Sequence, residues 1–287
     1  MSASPLSLAP PYSQLVAADS KRAGKGHGGG SNGHGSGGKG HGGGGKGHGG
    51  GSRVHVAGGR GPSPALLTAN IKKAASLSEL FTHIIRHHHL LNHIHLSACW
   101  SALGLLARAS APGWDAEHAD GLQLLRKQTA AVVLNEHTIR ARELANIAHG
   151  VVKSGQAKPD DELMDTLAAA ICPRLRDCNS QELANIAWAF AKAGNSDAHL
   201  FSILARAAEN RLHSFNGQEV ANFAWAFATA GHSDKALFTM LTQTVQKRLA
   251  DFTAQGLSNL MWAFVKVDLV DAQLFKAMAQ VLSLIHI

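Results

Sequence analysis

Four asparagines recur in the second half of the sequence at nearly constant spacing, each accompanied by longer polar side chains and a planar ring. Asn146, Asn185, Asn222 and Asn259 are separated by 39, 37 and 37 residues. An amide can hydrogen-bond the edge of an unpaired base, a lysine can meet a phosphate, and a ring can stack on a base. The combination predicts contacts with single-stranded RNA.

The predicted RNA-binding residues share one polar helix face in each repeat. They are Arg142, Asn146, Lys153, Gln181, Asn185, Lys192, Gln218, Asn222, Gln255, Asn259 and Lys266. Stacking candidates stand three residues after the last three asparagines: Trp188, Trp225 and Trp262. His149 takes this position in the first repeat, and Thr229 takes the lysine position in the third.

Each of these residue types also has a purely structural interpretation. A recurring asparagine can bond a backbone carbonyl of the next repeat, and lysines are common on solvated faces. Large aromatic side chains are mostly buried, which favours a core role for the tryptophans. For asparagine the two interpretations remain equally open at this stage.

A second row of cations accompanies the first. Arg174, Arg211 and Arg248 stand 37 residues apart, and a leucine follows each of them. Such a row can contact phosphates at the spacing of the repeat. Arginine near a helix C-terminus also interacts favourably with the helix macrodipole, so both explanations stay open.

The elements that position these residues are pairs of helices. In the second repeat, the first helix is predicted from about Gln181 to Ala193, with Gly194 as a left-handed cap. Ser196 or Asp197 starts the second helix, which continues to about Leu212; Gly231, Ser233 and Asp234 repeat the pattern. Short loops predict antiparallel pairs, and the 37-residue period predicts an all-α fold, an α-solenoid of stacked two-helix units.

The apolar faces of these helices form the predicted core, because one repeat cannot bury them alone. The predicted core residues are Leu183, Ile186, Ala187, Phe190, Leu200, Phe201, Leu204, Leu237, Phe238 and Leu241. Ala184 and Ala191 flank the first face and leave space for a neighbouring helix.

The repeat sets the predicted domain boundaries. Residues 1–61 form a disordered tail, 62–91 lead-in helices, and 92–287 the solenoid. Its units lie near 92–138, 139–178, 179–215, 216–252 and 253–287. The first unit is degenerate, with Ser97 and Trp100 in the asparagine and tryptophan positions and an insertion near 111–120. Ile285 replaces the ladder arginine and residues 283–287 leave the repeat, so the last unit is expected to be truncated.

The tail is a low-complexity segment with a histidine every seven residues, from His27 to His55. Its composition favours a flexible linker, the alternative being a loose arm for nucleic acid or metal. The tail carries seven of the 27 lysines and arginines and one of the 20 acids. The remaining 226 residues therefore hold 20 bases and 19 acids, so RNA binding by the folded part must depend on where its charges lie.

The sequence contains no recognisable catalytic site. It lacks a P-loop, a nucleophile elbow and an HExxH motif, and its three cysteines form no CxxC pair. Six histidines between His83 and His95 include the i,i+4 pairs His83/His87 and His89/His93, for which a partly exposed polar face is favoured over a metal site. We expect no enzyme activity, no cofactor and no membrane span.

Residues 183–194 (LANIAWAFAKAG) and 220–231 (VANFAWAFATAG) resemble the octotricopeptide and heptatricopeptide repeats of algal and protist organelle proteins, which often end in a RAP domain. The resemblance covers about residues 77–282. It implies an α-solenoid that binds organellar RNA and supports its processing, stability or translation in a chloroplast or mitochondrion, with the cytoplasm as the alternative location. Protein partners are also expected, and the competing class is a peptide-binding scaffold of the armadillo or HEAT type.

Overall fold

The computed structural model describes residues 61–158 and 160–285, and within these ranges every regular element is a helix. The α-helices are α1 (Pro64–Lys73), α2 (Leu77–His87), α3 (His93–Ala109), α4 (Trp114–Glu117), α5 (Ala119–Asn135), α6 (Ala141–Lys153), α7 (Glu162–Ile171), α8 (Ser180–Lys192), α9 (Ala198–Glu209), α10 (Gly217–Thr229), α11 (Lys235–Lys247), α12 (Ala254–Lys266) and α13 (Ala272–Ile285). Short 3-10 turns follow α2, α7, α9 and α11. The all-α prediction is confirmed; the predicted tail lies outside the described residues, apart from Gly61.

The helices after α2 alternate between two rows. We call α3, α6, α8, α10 and α12 the A row, and α5, α7, α9, α11 and α13 the B row. The most extensive contacts between helices join consecutive members of the A row, whereas the B row is packed more loosely. The two-helix units therefore stack in chain order, with the A row as the tight layer. The predicted insertion forms the short helix α4.

The A-row helices begin where side chains satisfy the first free N–H groups. Asn179 accepts a hydrogen bond from the N–H of Glu182 at 2.9 Å, and the Glu182 carboxylate accepts from the N–H of Asn179 at 2.9 Å. Asn216 and Glu219 repeat this capping box with the same two distances. The Asn179 cap places the start of α8 at Ser180, one residue before the predicted Gln181.

The A-row helices α6, α8, α10 and α12 end at residues in the left-handed region, as predicted for Gly194 and Gly231. Their φ angles are 78° and 79°, and Gly155 has 76° at the end of α6. The N–H of Asn195 reaches back to the carbonyl of Phe190 at 3.0 Å, which completes the cap after α8. Asp268 takes the glycine's place after α12, with φ 58°.

The predicted core is confirmed. Every residue assigned to it is at most 1% exposed, and the flanking Ala184 and Ala191 are buried as well. Alanines recur at these positions in α10, as Ala221 and Ala228, and are also buried. Small side chains at these positions let consecutive A-row helices approach closely, which brings their polar faces side by side.

Candidate nucleic-acid interface

The A-row helices run parallel to one another, with equivalent positions facing each other. Gly150 of α6 lies against the backbone of Trp100 in α3, and one turn later Lys153 lies against Gly104. At the far end of the row, Gly256 of α12 lies against Ala221 of α10. The C-terminal ends of the A-row helices therefore share one edge of the stack.

The predicted RNA-binding residues differ in their accessibility. Six are exposed: Arg142, Gln181, Lys192, Gln218, Gln255 and Lys266. Four are partly buried: Asn146, Lys153, Asn185 and Asn259. Asn222 is only 6% exposed. The parallel packing brings the long amides and Arg142 to one edge, the lysines to the opposite edge, and the asparagines between them.

The asparagine amides are not engaged by the fold. Among the described residues, none of the four side chains forms a hydrogen bond to another residue, including the backbone carbonyls of the next unit. The structural interpretation of the asparagines required such a bond. The row of amides therefore offers unused donors and acceptors.

The aromatic positions change from buried to exposed along the stack. Trp100 is fully buried, and its Nε1–H donates to Thr129 Oγ1 at 2.9 Å. Trp188 is 7% exposed and lies 5.1 Å from the His149 ring. Trp262 is 43% exposed and lies 6.3 Å from Trp225, with 31° between the ring planes. The core role favoured for tryptophan holds at Trp188, whereas Trp262 presents an accessible face.

Cations mark the C-terminal edge of the A row. Lys153, Lys192 and Lys266 are the last residues of α6, α8 and α12, and in the described part of the chain none of them forms an ion pair. Arg108, in the last turn of α3, was missed by the sequence pattern. The lysine position of that unit is Gly104, and Arg108 stands one turn later. A cation at the end of the first helix of a unit is the signal from which Arg108 could have been identified.

The arginine ladder has a structural role. Arg174 donates from Nε to the carbonyl of Ile139 at 3.0 Å, and Arg248 donates from Nη1 to the carbonyl of Phe215 at 2.7 Å. Arg211 donates from both Nη atoms to the carbonyls of Cys178 and Arg176. Ile139, Cys178 and Phe215 each stand seven residues before the asparagine of their unit.

This repeated contact, which we call the arginine clamp, ties the end of a unit to the linker that precedes the same unit. Arg174 makes two further bonds to carbonyls, and Arg248 pairs with Asp251 at 2.8 Å, so each guanidinium donates at least two hydrogen bonds within the protein. These donors point into the protein backbone, which gives the ladder a structural role, and its contact with phosphates stays a prediction.

The histidine cluster divides into separate contacts. His95 is buried in a capping box: its Nδ1 accepts from the N–H of Asn92 at 3.1 Å, and its Nε2–H donates to the carbonyl of Pro64 at 3.0 Å. His93 pairs with Glu136 at 2.5 Å. In the described ranges, no group of three or more histidine, cysteine or acidic side chains is placed to hold a metal ion.

None of the helices at 61–158 and 160–285 combines the length and apolar character that crossing a membrane requires.

The comparison with known families covers the same segment as the candidate interface. Residues 95–266 match the family described as the Tbc2 translation factor, N-terminal domain. This range extends from the first turn of α3 to the last residue of α12, so it includes every predicted RNA-binding residue. No curated protein matches the chain significantly.

Proposed function

This chain belongs to the family of the Tbc2 translation factor N-terminal domain, and we propose that it binds single-stranded RNA along the A row of helices in support of translation. The observation that carries this proposal is the row of four asparagine amides, one per unit, which form no hydrogen bond within the described ranges. A base edge supplies the donors and acceptors that these amides lack.

The neighbouring side chains supply the other contacts that an unpaired strand needs. Lys153, Lys192 and Lys266 form a basic edge beside the amides, and Trp262 offers a ring face. Phosphate attraction and base stacking together provide most of the affinity of sequence-tolerant single-strand binding. Although residues 61–287 are nearly neutral overall, these cations are concentrated on one edge.

The finer assignments are part of the same proposal. The resemblance to octotricopeptide and heptatricopeptide repeats supports an organellar transcript as the target, in a chloroplast or mitochondrion, with RNA processing or stability as further outcomes of binding. As part of the same proposal, we assign the chain no catalytic step.

The basic edge is tested by replacing Lys153, Lys192 and Lys266 together with alanine in the full chain. We expect at least a tenfold loss of affinity for a single-stranded RNA pool, measured by fluorescence anisotropy. The slope of log affinity against log salt should fall by about 2, since each lost phosphate contact on a single strand removes about 0.7. The matched control replaces three exposed B-row lysines, Lys127, Lys235 and Lys247.

Equal losses in the two triple variants would contradict the proposal, because a general effect of charge does not depend on the edge that carries it. Unchanged RNA affinity, together with binding of an extended peptide, would instead favour the armadillo or HEAT class of scaffold.

The amides are tested by replacing Asn146, Asn185 and Asn259 with alanine. We expect a tenfold or greater loss of affinity in the same assay with an unchanged salt slope, because a contact with a base edge releases no counterions. Thermal unfolding provides the control for folding. A salt slope that falls together with the affinity would show that the amides act through the phosphate contacts.

A further inference from the structure

Helices α3 and α6 make the closest approach in the A row, and a lysine side chain lies across it. A Cβ atom on Gly104 would stand 3.2 Å from Lys153 Cβ and 3.4 Å from Lys153 Cδ. The absence of a side chain at Gly104 therefore makes room for the aliphatic part of Lys153 on the surface of α3. The lysine is half-buried as a result. Both its contact with α3 and the hydration of its charge set the position of the ammonium group.

A second cation lies next to it. Arg108 stands one turn after Gly104 and is exposed. Burial lowers the pKa of Lys153, and the nearby charge of Arg108 lowers it further. The ion pairs of the described chain are His93–Glu136, Arg126–Asp161, Arg140–Glu143 and Arg248–Asp251. Lys153 therefore packs on the surface of α3 one turn before Arg108, and in the described chain neither cation is paired with a carboxylate.

The helix macrodipole explains part of this arrangement. A cation in the last turn of α3 or of α6 stabilises that helix end by about 0.3–1 kcal/mol. An exposed lysine would provide the same stabilisation without losing hydration. The macrodipole does not account for a lysine packed onto the neighbouring helix, towards a like charge. A bound anion does, because it accepts charge-assisted hydrogen bonds from both groups.

We propose that Arg108 and Lys153 together bind one backbone phosphate of the RNA where α3 and α6 end. This site rests on the proposed function and extends the RNA path by one unit beyond the four asparagines. The asparagine position of α3 is Ser97, which is buried. Helix α3 therefore contributes to the position of the strand and not to the recognition of a base.

The test uses Arg108→Ala and Arg108→Lys in the full chain, with the same RNA pool and salt titration. We expect Arg108→Ala to lose three- to tenfold in affinity and about 0.7 in salt slope, as for one lost phosphate contact. Arg108→Lys keeps the charge and should restore the slope. Arg206→Ala removes an exposed arginine of the B-row helix α9 and should leave both quantities unchanged.

A double-mutant cycle with Lys153→Ala tests whether the two cations share one phosphate. We expect Arg108→Ala to have a smaller effect in the Lys153→Ala background than in the original chain, because the shared contact is already weakened. Fully additive losses would overturn the pairing.

The site and the proposed function can fail separately. An unchanged salt slope in Arg108→Ala, beside a reduced slope in Lys192→Ala, would overturn the site and leave the RNA interface in place. A lowered melting temperature with unchanged RNA binding would assign Arg108 to the helix end alone. The absence of RNA binding by the original chain would overturn both.

Discussion

The Gly150→Ala chain is expected to unfold more readily than the original chain, by about 2 kcal/mol. A Cβ atom at this position would stand 2.5 Å from the carbonyl oxygen of Trp100 and 2.6 Å from its carbonyl carbon. Both are backbone atoms of α3, so no side-chain rotation relieves the contact. The two helices must separate, which loosens the tightest junction of the A row. Urea denaturation followed by circular dichroism measures the change.

Two other glycines separate this steric effect from the backbone preferences of glycine. Gly155 has φ 76° with no atom within 4 Å of a Cβ, so Gly155→Ala should cost only the strain of a left-handed alanine, about 1 kcal/mol. At Gly104 the closest atom belongs to the Lys153 side chain, and Gly104→Ala should cost less than Gly150→Ala. Helix propensity alone favours alanine at position 150 by about 1 kcal/mol, so a stabilised Gly150→Ala chain would contradict the packing described.

Acid is expected to destabilise the fold through His149. Burial, and then the charge of Lys153, lower the pKa of His149 to about 4. In the unfolded chain, the imidazole titrates near its ordinary value of about 6.5, so between these two values the unfolded state binds the proton more readily. The free energy of unfolding should therefore fall as the pH is lowered from 6.5 to 4, by about 3 kcal/mol from this residue.

His149→Gln removes the titrating group and should remove this part of the acid destabilisation. The measurement compares urea denaturation at pH 7 and at pH 4.5 for both chains. His213→Gln, at an exposed position, should keep the full acid effect of the original chain. If His149→Gln loses as much stability between the two pH values as the original chain, His149 is not the group responsible.

The helices and their core could be predicted from the sequence because both depend on local, periodic signals. Gly194 and Gly231 mark the helix ends, and apolar residues such as Leu183 and Phe190 recur at helical spacing. The fourth unit shows the limit of this reasoning, because Asp268 adopts the left-handed conformation without being a glycine.

The roles of the polar residues depend on contacts between units, which spacing does not reveal. The regular arginines suited a phosphate row or a helix end equally well, and their spacing did not predict the bond that Arg211 donates to the carbonyl of Cys178. The exposure of the tryptophans also depends on contacts between units. Trp188 and Trp262 occupy equivalent positions in similar motifs, yet Trp188 is buried and Trp262 is exposed. Neighbouring helices, and not the motif, set this difference.

The arginine clamps all join a residue to an earlier part of the chain, which has a consequence for folding during synthesis. Each clamp reaches backward, from Arg211 to the carbonyl of Cys178 and from Arg248 to that of Phe215. During synthesis, the linker before a unit is secured only when the arginine ending that unit has left the ribosome. We therefore expect the units to assemble from the N-terminus one at a time, each clamp closing about 33 residues after its linker has emerged.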